Sequence, residues 1–147
     1  MILNKTTEYA LTALAFMAVG EVEPYSAEYL HEHLAIPRSY LRRLLTQLSK
    51  QGFIASSKGR RGGFVFARPL EEINLAMVIN SMESSGILGN CILGHLSCRE
   101  EQPCIMHETW KEIRTTMLDT LSNTTLQDLK VRSAVKNHSL KKNYSAI

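Results

Sequence analysis

The sequence lacks a long apolar run: nowhere do its 147 residues approach the roughly 18 consecutive apolar positions that a membrane span requires. Its opening, Met1 to Gly20, does not read as a secretory leader either. Glu8 interrupts it, Thr6, Thr7 and Thr12 dilute it, and its apolar positions are spaced for a helix face. These absences predict a cytoplasmic protein with no membrane partner. An even cysteine count is also missing. Three cysteines cannot all pair within one chain, which argues against a disulfide framework and for metal or redox chemistry in a reducing compartment. There is no internal repeat and no low-complexity tract. A hydrophobic share of 44% argues against wholesale disorder, and the length suits one domain with an appended arm.

Acidic residues are absent from one long stretch. Between Arg38 and Arg68 stand Arg38, Arg42, Arg43, Lys50, Lys58, Arg60, Arg61 and Arg68 with no Asp or Glu among them. The net charge of +3 therefore conceals a basic first half, an acidic segment from about 71 to 129, and a basic tail. A local field of one sign points to an anionic partner, most simply a phosphate backbone.

Periodicity supplies the elements. Thr6 or Thr7 is placed to cap a first helix carrying Leu11, Leu14 and Met17 and ending near Gly20. Ser26 caps a short second helix through Leu34. Ile36-Pro37 breaks it, and Pro37 suits the first turn of a third. There Leu41, Leu44, Leu45 and Leu48 recur at i, i+3, i+4 and i+7, one buried stripe. After Gly52 the period changes. Phe53 to Ser57 and Phe64 to Ala67 read as two strands around a Lys58-Gly59-Arg60-Arg61-Gly62-Gly63 turn. Asn74 caps a fourth helix to about Met82. Pro103 opens a long helix with Trp110, Ile113, Met117 and Leu121 on one side, and Thr125 to Asp128 offers a capping box for a short last helix. The tail beyond Lys130 is expected to be mobile. Two helices, a basic helix and a basic ribbon, in that order, predict a mainly α fold with a small β-hairpin wing: a winged helix-turn-helix.

In that fold the second helix of the motif enters the major groove, and its N-terminal residues reach the bases. The leucines face inward, so Arg38, Ser39, Tyr40, Arg42 and Arg43 fall largely on the outward side. Arginine suits guanine, whereas Ser and Tyr more often hold phosphate. Lys58, Arg60 and Arg61 project from a narrow glycine-bounded tip that suits the minor groove. A merely solvated basic face is the plainer alternative.

Cys91, Cys98 and Cys104 are separated by six and by five residues, and His107 follows three positions later. With the long helix already begun, positions 104 and 107 share a face. Three thiolates and an imidazole form a four-ligand set for iron–sulfur or for zinc, although the spacing is wider than the usual zinc pairs. Unconnected thiols and a metal-free thiol switch are the other readings. Cys104 and His107 as a catalytic nucleophile and base would need a substrate pocket for which the chain has little spare length, so no catalytic residue is assigned. His31 and His33 read as solvated helix residues.

Taken together, the motifs resemble the winged-helix iron–sulfur transcription regulators of the IscR and NsrR type over about residues 1–130. The resemblance rests on Glu8-Tyr9-Ala10-Leu11, on Ile36-Pro37-Arg38-Ser39-Tyr40-Leu41, on the Lys58 to Gly63 turn, on Cys104-Ile105-Met106-His107 with Trp110, and on Thr124 to Leu129. It implies a homodimer joined through the long helix, and a 2Fe–2S or 4Fe–4S cluster. In the IscR type the fourth ligand matches His107; in the NsrR type it is an acid from the other subunit, matching Glu8. The six-residue gap after Cys91 departs from the usual five. The implied organisation is a DNA-binding domain at 1–83, a cluster loop at 84–103, a dimerisation helix with a short final helix at 104–130, and a basic tail at 131–147. The implied function is a non-enzymatic regulator, a repressor, acting on pseudo-palindromic double-stranded promoter sites under control of the cluster, with zinc or a thiol switch as the alternative.

Overall fold

The computed structural model describes residues 3–83 and 103–135. Six helices and one two-stranded antiparallel sheet follow in the order α1 (Lys5–Val19), α2 (Ala27–Leu34), α3 (Arg38–Lys50), β1 (Ile54–Ser57), β2 (Gly63–Phe66), α4 (Leu75–Met82), α5 (His107–Ser122) and α6 (Leu126–Val135), with a 3₁₀ turn at Leu70–Glu72. This is the mainly α winged helix-turn-helix that the periodicity predicts.

One core joins the first three helices to the wing. Ala10, Ala13, Leu14 and Met17 of α1 meet Leu30 and Leu34 of α2 and all four leucines of the α3 stripe, with Phe53 and Ile54 closing the side toward β1. Burial of each large apolar side chain contributes about 1.5–3 kcal/mol. Tyr25 forms an isolated antiparallel bridge to the wing: its N–H donates to Phe64 O at 2.9 Å and its C=O accepts from Phe64 N–H at 2.8 Å. A β-carbon on Gly63 would lie 2.5 Å from the Tyr25 carbonyl oxygen, so glycine permits this close approach. Burial pushes the Tyr25 hydroxyl above its ordinary value.

The caps follow local chemistry with one correction. Ser26 and Asn74 accept from Tyr29 N–H and Met77 N–H at 3.0 and 2.9 Å, as expected. The cap of α1 is Asn4, not Thr6 or Thr7; its side chain accepts from Thr7 N–H at 2.9 Å. Thr7 lies inside the helix, and its buried hydroxyl is directed elsewhere. The turn between α2 and α3 is tight. Ala35 adopts the left-handed conformation, φ 54°, and its N–H bonds His31 O at 3.1 Å.

The histidines of α2 are not simply solvated. His31 is half-buried, and its Nδ1 donates to Ile36 O at 2.7 Å across that turn. His33 is exposed, but its ring stacks on Tyr29 with centroids 4.0 Å apart.

The C-terminal helices attach differently. α6 returns to the main core through fully buried Leu126, whose N–H bonds Ile73 O at 2.9 Å. The expected capping box forms: Asp128 accepts from Thr125 N–H at 2.8 Å, and Asp128 N–H donates to Thr125 Oγ1 at 3.2 Å. α6 continues to Val135, so the helix takes in the first residues of the expected tail. The remainder of that tail lies outside the described residues. α5 begins at His107 rather than Pro103, because Cys104 O accepts His107 N–H in a separate turn at 3.0 Å. Met117, Leu118 and Leu121 of α5 pack against Ala76 and Ile79 of α4, yet no residue of α5 is buried.

Two outcomes test these local assignments. Ala35→Gly relieves a left-handed alanine that costs about 1–2 kcal/mol, against an unfolded-chain entropy loss of about 0.4–1 kcal/mol. A rise in unfolding free energy of up to about 1 kcal/mol is expected from urea denaturation. The Thr125 N–H and hydroxyl hold the Asp128 carboxyl below its ordinary value of 3.8. A carboxylate lowered on folding stabilises fully above its unfolded value and loses that contribution as pH falls through the folded one. The Tm gap between the wild-type protein and Asp128→Ala should therefore be constant near neutrality and narrow on acidification below about pH 4.

Candidate nucleic-acid interface and metal-ligand residues

The leucine stripe decides which face α3 presents. With Leu41, Leu44, Leu45 and Leu48 buried, Arg38, Ser39, Arg42, Arg43, Thr46 and Lys50 are exposed. Arg42, Arg43, Thr46, Gln47 and Lys50 together line a shallow, open depression along the helix. Ser39 stands exposed at the start of this face.

Tyr40 is placed differently from the other candidates. It is half-buried, its hydroxyl is hydrogen bonded to that of Thr6, and its ring meets Tyr9 edge-on with centroids 5.4 Å apart. The Arg43 guanidinium lies 5.7 Å from the Tyr40 ring centroid. Tyr40 therefore ties α3 to α1 and steadies Arg43. Arg38 is also engaged: its guanidinium is paired with the Glu28 carboxylate of α2.

The wing presents its tip fully. Lys58, Gly59, Arg60 and Arg61 are all exposed beyond the last strand pair, Ser57 with Gly63. Gly59 turns the chain at φ +123°, a conformation that L side chains rarely adopt. Arg68 closes the same basic stretch without joining the tip. It is half-buried, its Nε donates to Gly52 O at 3.2 Å, and its guanidinium lies 5.9 Å from the Phe53 ring centroid. That arginine fastens the end of α3 to the wing.

Of the candidate metal ligands, Cys91 and Cys98 lie outside the described residues. Cys104 lies in the turn before α5 and His107 opens that helix, so the two are joined by the Cys104 O to His107 N–H turn and do not share a helical face. Cys104 is a half-buried free thiol. The His107 side chain is only 10% exposed, with Nε2 3.9 Å from Glu108 Oε1. Among the described residues no group of three or more His, Cys, Asp or Glu side chains converges. Glu8, the alternative ligand, sits in the first turn of α1, where Lys5 Nζ donates to it at 3.0 Å. That contact raises the Lys5 ammonium above its ordinary value.

One polar contact had no sequence signal. Glu83, the residue that ends α4, accepts from Asn4 N–H at 2.9 Å and from the buried Thr7 hydroxyl at 2.6 Å. Its partners are more than seventy positions away in the chain, so no local pattern could announce it. The contact joins the beginning of α1 to the last residue before the cysteine-bearing stretch.

A buried-leucine reading helix beside a glycine-tipped basic wing defines a winged-helix DNA-binding regulator of transcription. The chain belongs to the Rrf2 family, described as iron-dependent transcriptional regulators, with residues 3–132 matched. It is 34% identical over 131 residues to a putative HTH-type transcriptional regulator of Aquifex aeolicus, covering 88% of this chain and 91% of that one. It is 32% identical over 138 residues to the HTH-type transcriptional regulator IscR of Pectobacterium atrosepticum, covering 93% and 84%. Its fold matches that of CymR, the global cysteine regulator of B. subtilis, with a TM-score of 0.75 at 24% identity over 88% of this chain and 96% of that one. The family is one of HTH-type regulators, not enzymes. Among the described residues, no helix is long and apolar enough to cross a membrane.

Replacing both wing arginines, Arg60→Ala with Arg61→Ala, should leave the thermal unfolding midpoint unchanged and weaken binding to duplex DNA. If each arginine neutralises one phosphate, the slope of log affinity against log salt should flatten by about two per protomer in a gel-shift titration.

Proposed function

We propose that this protein is a dimeric transcription repressor whose promoter affinity is set by an iron–sulfur cluster, 2Fe–2S or 4Fe–4S. In this reading Cys91, Cys98 and Cys104 hold the cluster with His107, or with Glu8 of the partner subunit, as fourth ligand. The donor set suits iron and sulfide, since thiolates are the preferred cluster ligands and histidine an accepted one. A bound cluster would supply a group whose charge and integrity respond to redox state, nitric oxide or iron supply. The likeness to IscR and the iron-dependent description of the family support this choice over zinc or a metal-free thiol switch.

The observation that carries the reading is where the cysteine-bearing stretch is tethered. Upstream, Glu83 holds the N-terminus of α1, the helix that braces α3 through Thr6 and Tyr9 against Tyr40. Downstream, the Cys104–His107 turn opens α5. Ligands drawn together across residues 84–103 therefore act at both ends, on the reading domain of 1–83 and on the helices that follow. The direct contacts to DNA are assigned to Arg38, Ser39, Arg42 and Arg43 in the major groove and to Lys58, Arg60 and Arg61 at the wing, with Tyr40 positioning Arg43.

The same reading makes α5 the dimer helix. It packs on α4 through Met117, Leu118 and Leu121, Ile113 is 48% exposed, and none of its sixteen residues is buried among the described residues. A second copy against the surface of α5 that α4 leaves open, Ile113 included, would bury the area a stable dimer needs, about 800 Å² per partner. A two-fold dimer then requires half-sites about one DNA turn, roughly 34–36 Å, apart. A small rotation about α5 changes that spacing and hence the affinity.

Anaerobic purification tests the cluster directly. The wild-type protein should carry visible absorption with iron and acid-labile sulfide. Cys98→Ala should lose the colour while eluting as the same folded dimer. A colourless wild-type protein with stoichiometric zinc, or one refusing reconstitution, overturns the cluster; full colour in Cys98→Ala overturns the ligand set.

A further inference from the structure

Arg38 opens the reading helix at an electrostatically awkward place. The N-terminus of a helix carries about half a positive charge, which disfavours a cation and favours an anion. α3 has no acid in its first turn, and its N-cap, Pro37, makes no side-chain bond to the first amides. The missing anion comes from α2. Glu28, itself in the first turn of α2, pairs with the Arg38 guanidinium across the helix-turn-helix.

The pair sits in solvent, with Arg38 50% and Glu28 44% exposed. Exposed ion pairs are weak, so this one is exchangeable and does not lock the fold. Exchange is not equally rewarding for every incoming group. A DNA phosphate offers the guanidinium acceptor oxygens much like those of the carboxylate it already has, and Glu28 repels that phosphate. A guanine edge offers two uncharged acceptors, O6 and N7, in the geometry of the guanidinium fork. It gains the arginine without bringing a second negative charge against Glu28. The carboxylate therefore subtracts more from backbone binding than from base reading.

We propose that Glu28 is a positioning residue that sets sequence discrimination: it screens Arg38 from the phosphate backbone and releases it to a base edge. Glu28 contacts no DNA in this scheme; it acts through Arg38. The acid-free stretch from Arg38 to Arg68 has its first arginine neutralised by an acid that lies ten positions upstream. The inference rests on α3 being the DNA-reading helix.

The test uses the full-length protein, a duplex selected from a random-sequence library, and a scrambled duplex of the same length. Glu28→Gln keeps the shape and removes the charge. It should tighten binding to the scrambled duplex by about three- to tenfold and steepen the salt slope by about one per protomer. Affinity for the selected duplex should change less, so the specificity ratio narrows. In an Arg38→Gln background, Glu28→Gln should change neither slope nor ratio. An unchanged slope and ratio in the first comparison overturns the role of Glu28. The same shift persisting without Arg38 also overturns it, because Glu28 is then only a repelling charge. A wild-type protein that retains no duplex from the library overturns the DNA reading itself, and this inference with it.

Discussion

The burial of four leucines on one side of α3 is the constraint on which the rest depends. Leu41, Leu44, Leu45 and Leu48 are sunk into the core formed with α1 and α2. Rolling the helix by one position would expose a leucine and bury an arginine, and an unpaired buried charge is far costlier than the packing it displaces. The helix therefore has one admissible orientation. Its basic side chains are aimed by the apolar ones. The wing is held to the same frame by two fastenings, the Tyr25–Phe64 pairing and the Arg68–Gly52 bond, so wing and helix present their arginines as one unit.

Charge within that unit is less uniform in space than along the chain. The basic stretch contains eight cations and no acid, but folding distributes their tasks. Arg68 is spent on structure, Arg38 is paired with Glu28, and Arg43 rests on Tyr40. Arg42, Lys50, Lys58, Arg60 and Arg61 remain as the outward positive charge, split between α3 and the wing tip. A duplex meeting this surface encounters a fixed pattern of free and committed cations. Such a pattern can carry sequence preference, which a uniform field cannot.

Features written within one turn of helix or one hairpin were legible in the sequence. The leucine stripe, the Ser26 and Asn74 caps, the Thr125–Asp128 box and the stop at Gly52 each depend on residues three or four apart, and each formed as expected. What escaped depends on contacts between distant residues. The Thr7 hydroxyl and Asn4 N–H converge on Glu83 across the fold, a contact with no local signature; the Asn4 cap is itself local, but Asn4, Thr6 and Thr7 are all capping residue types and spacing alone does not choose among them. Tyr40 reads as an outward residue on a helical wheel, yet Thr6 and Tyr9 claim it. The start of α5 was set too early because Pro103 signals a helix opening without saying whether a turn intervenes. The candidate metal ligands divide the same way. Their residue types and spacing were visible, whereas among the three cysteines and His107 only Cys104 and His107 have a described geometry, and that geometry is a turn.

That turn and Glu83 bracket the cysteine-bearing stretch, and the bracket has a mechanical consequence. A displacement at the Glu83 end moves the beginning of α1, where Thr6 and Tyr9 hold the outward end of α3 through Tyr40. A displacement at the Cys104 end moves α5, which leans on α4 through a thin apolar contact and has no buried residue of its own. α6 is unlike α5 in this respect. Leu126 is locked into the main core, its N–H bonds Ile73 O and Thr124 O accepts from Leu75 N–H, so the far end of α5 is pinned. The Cys104–His107 turn opens the other end of this sixteen-residue helix, the end farthest from that anchor.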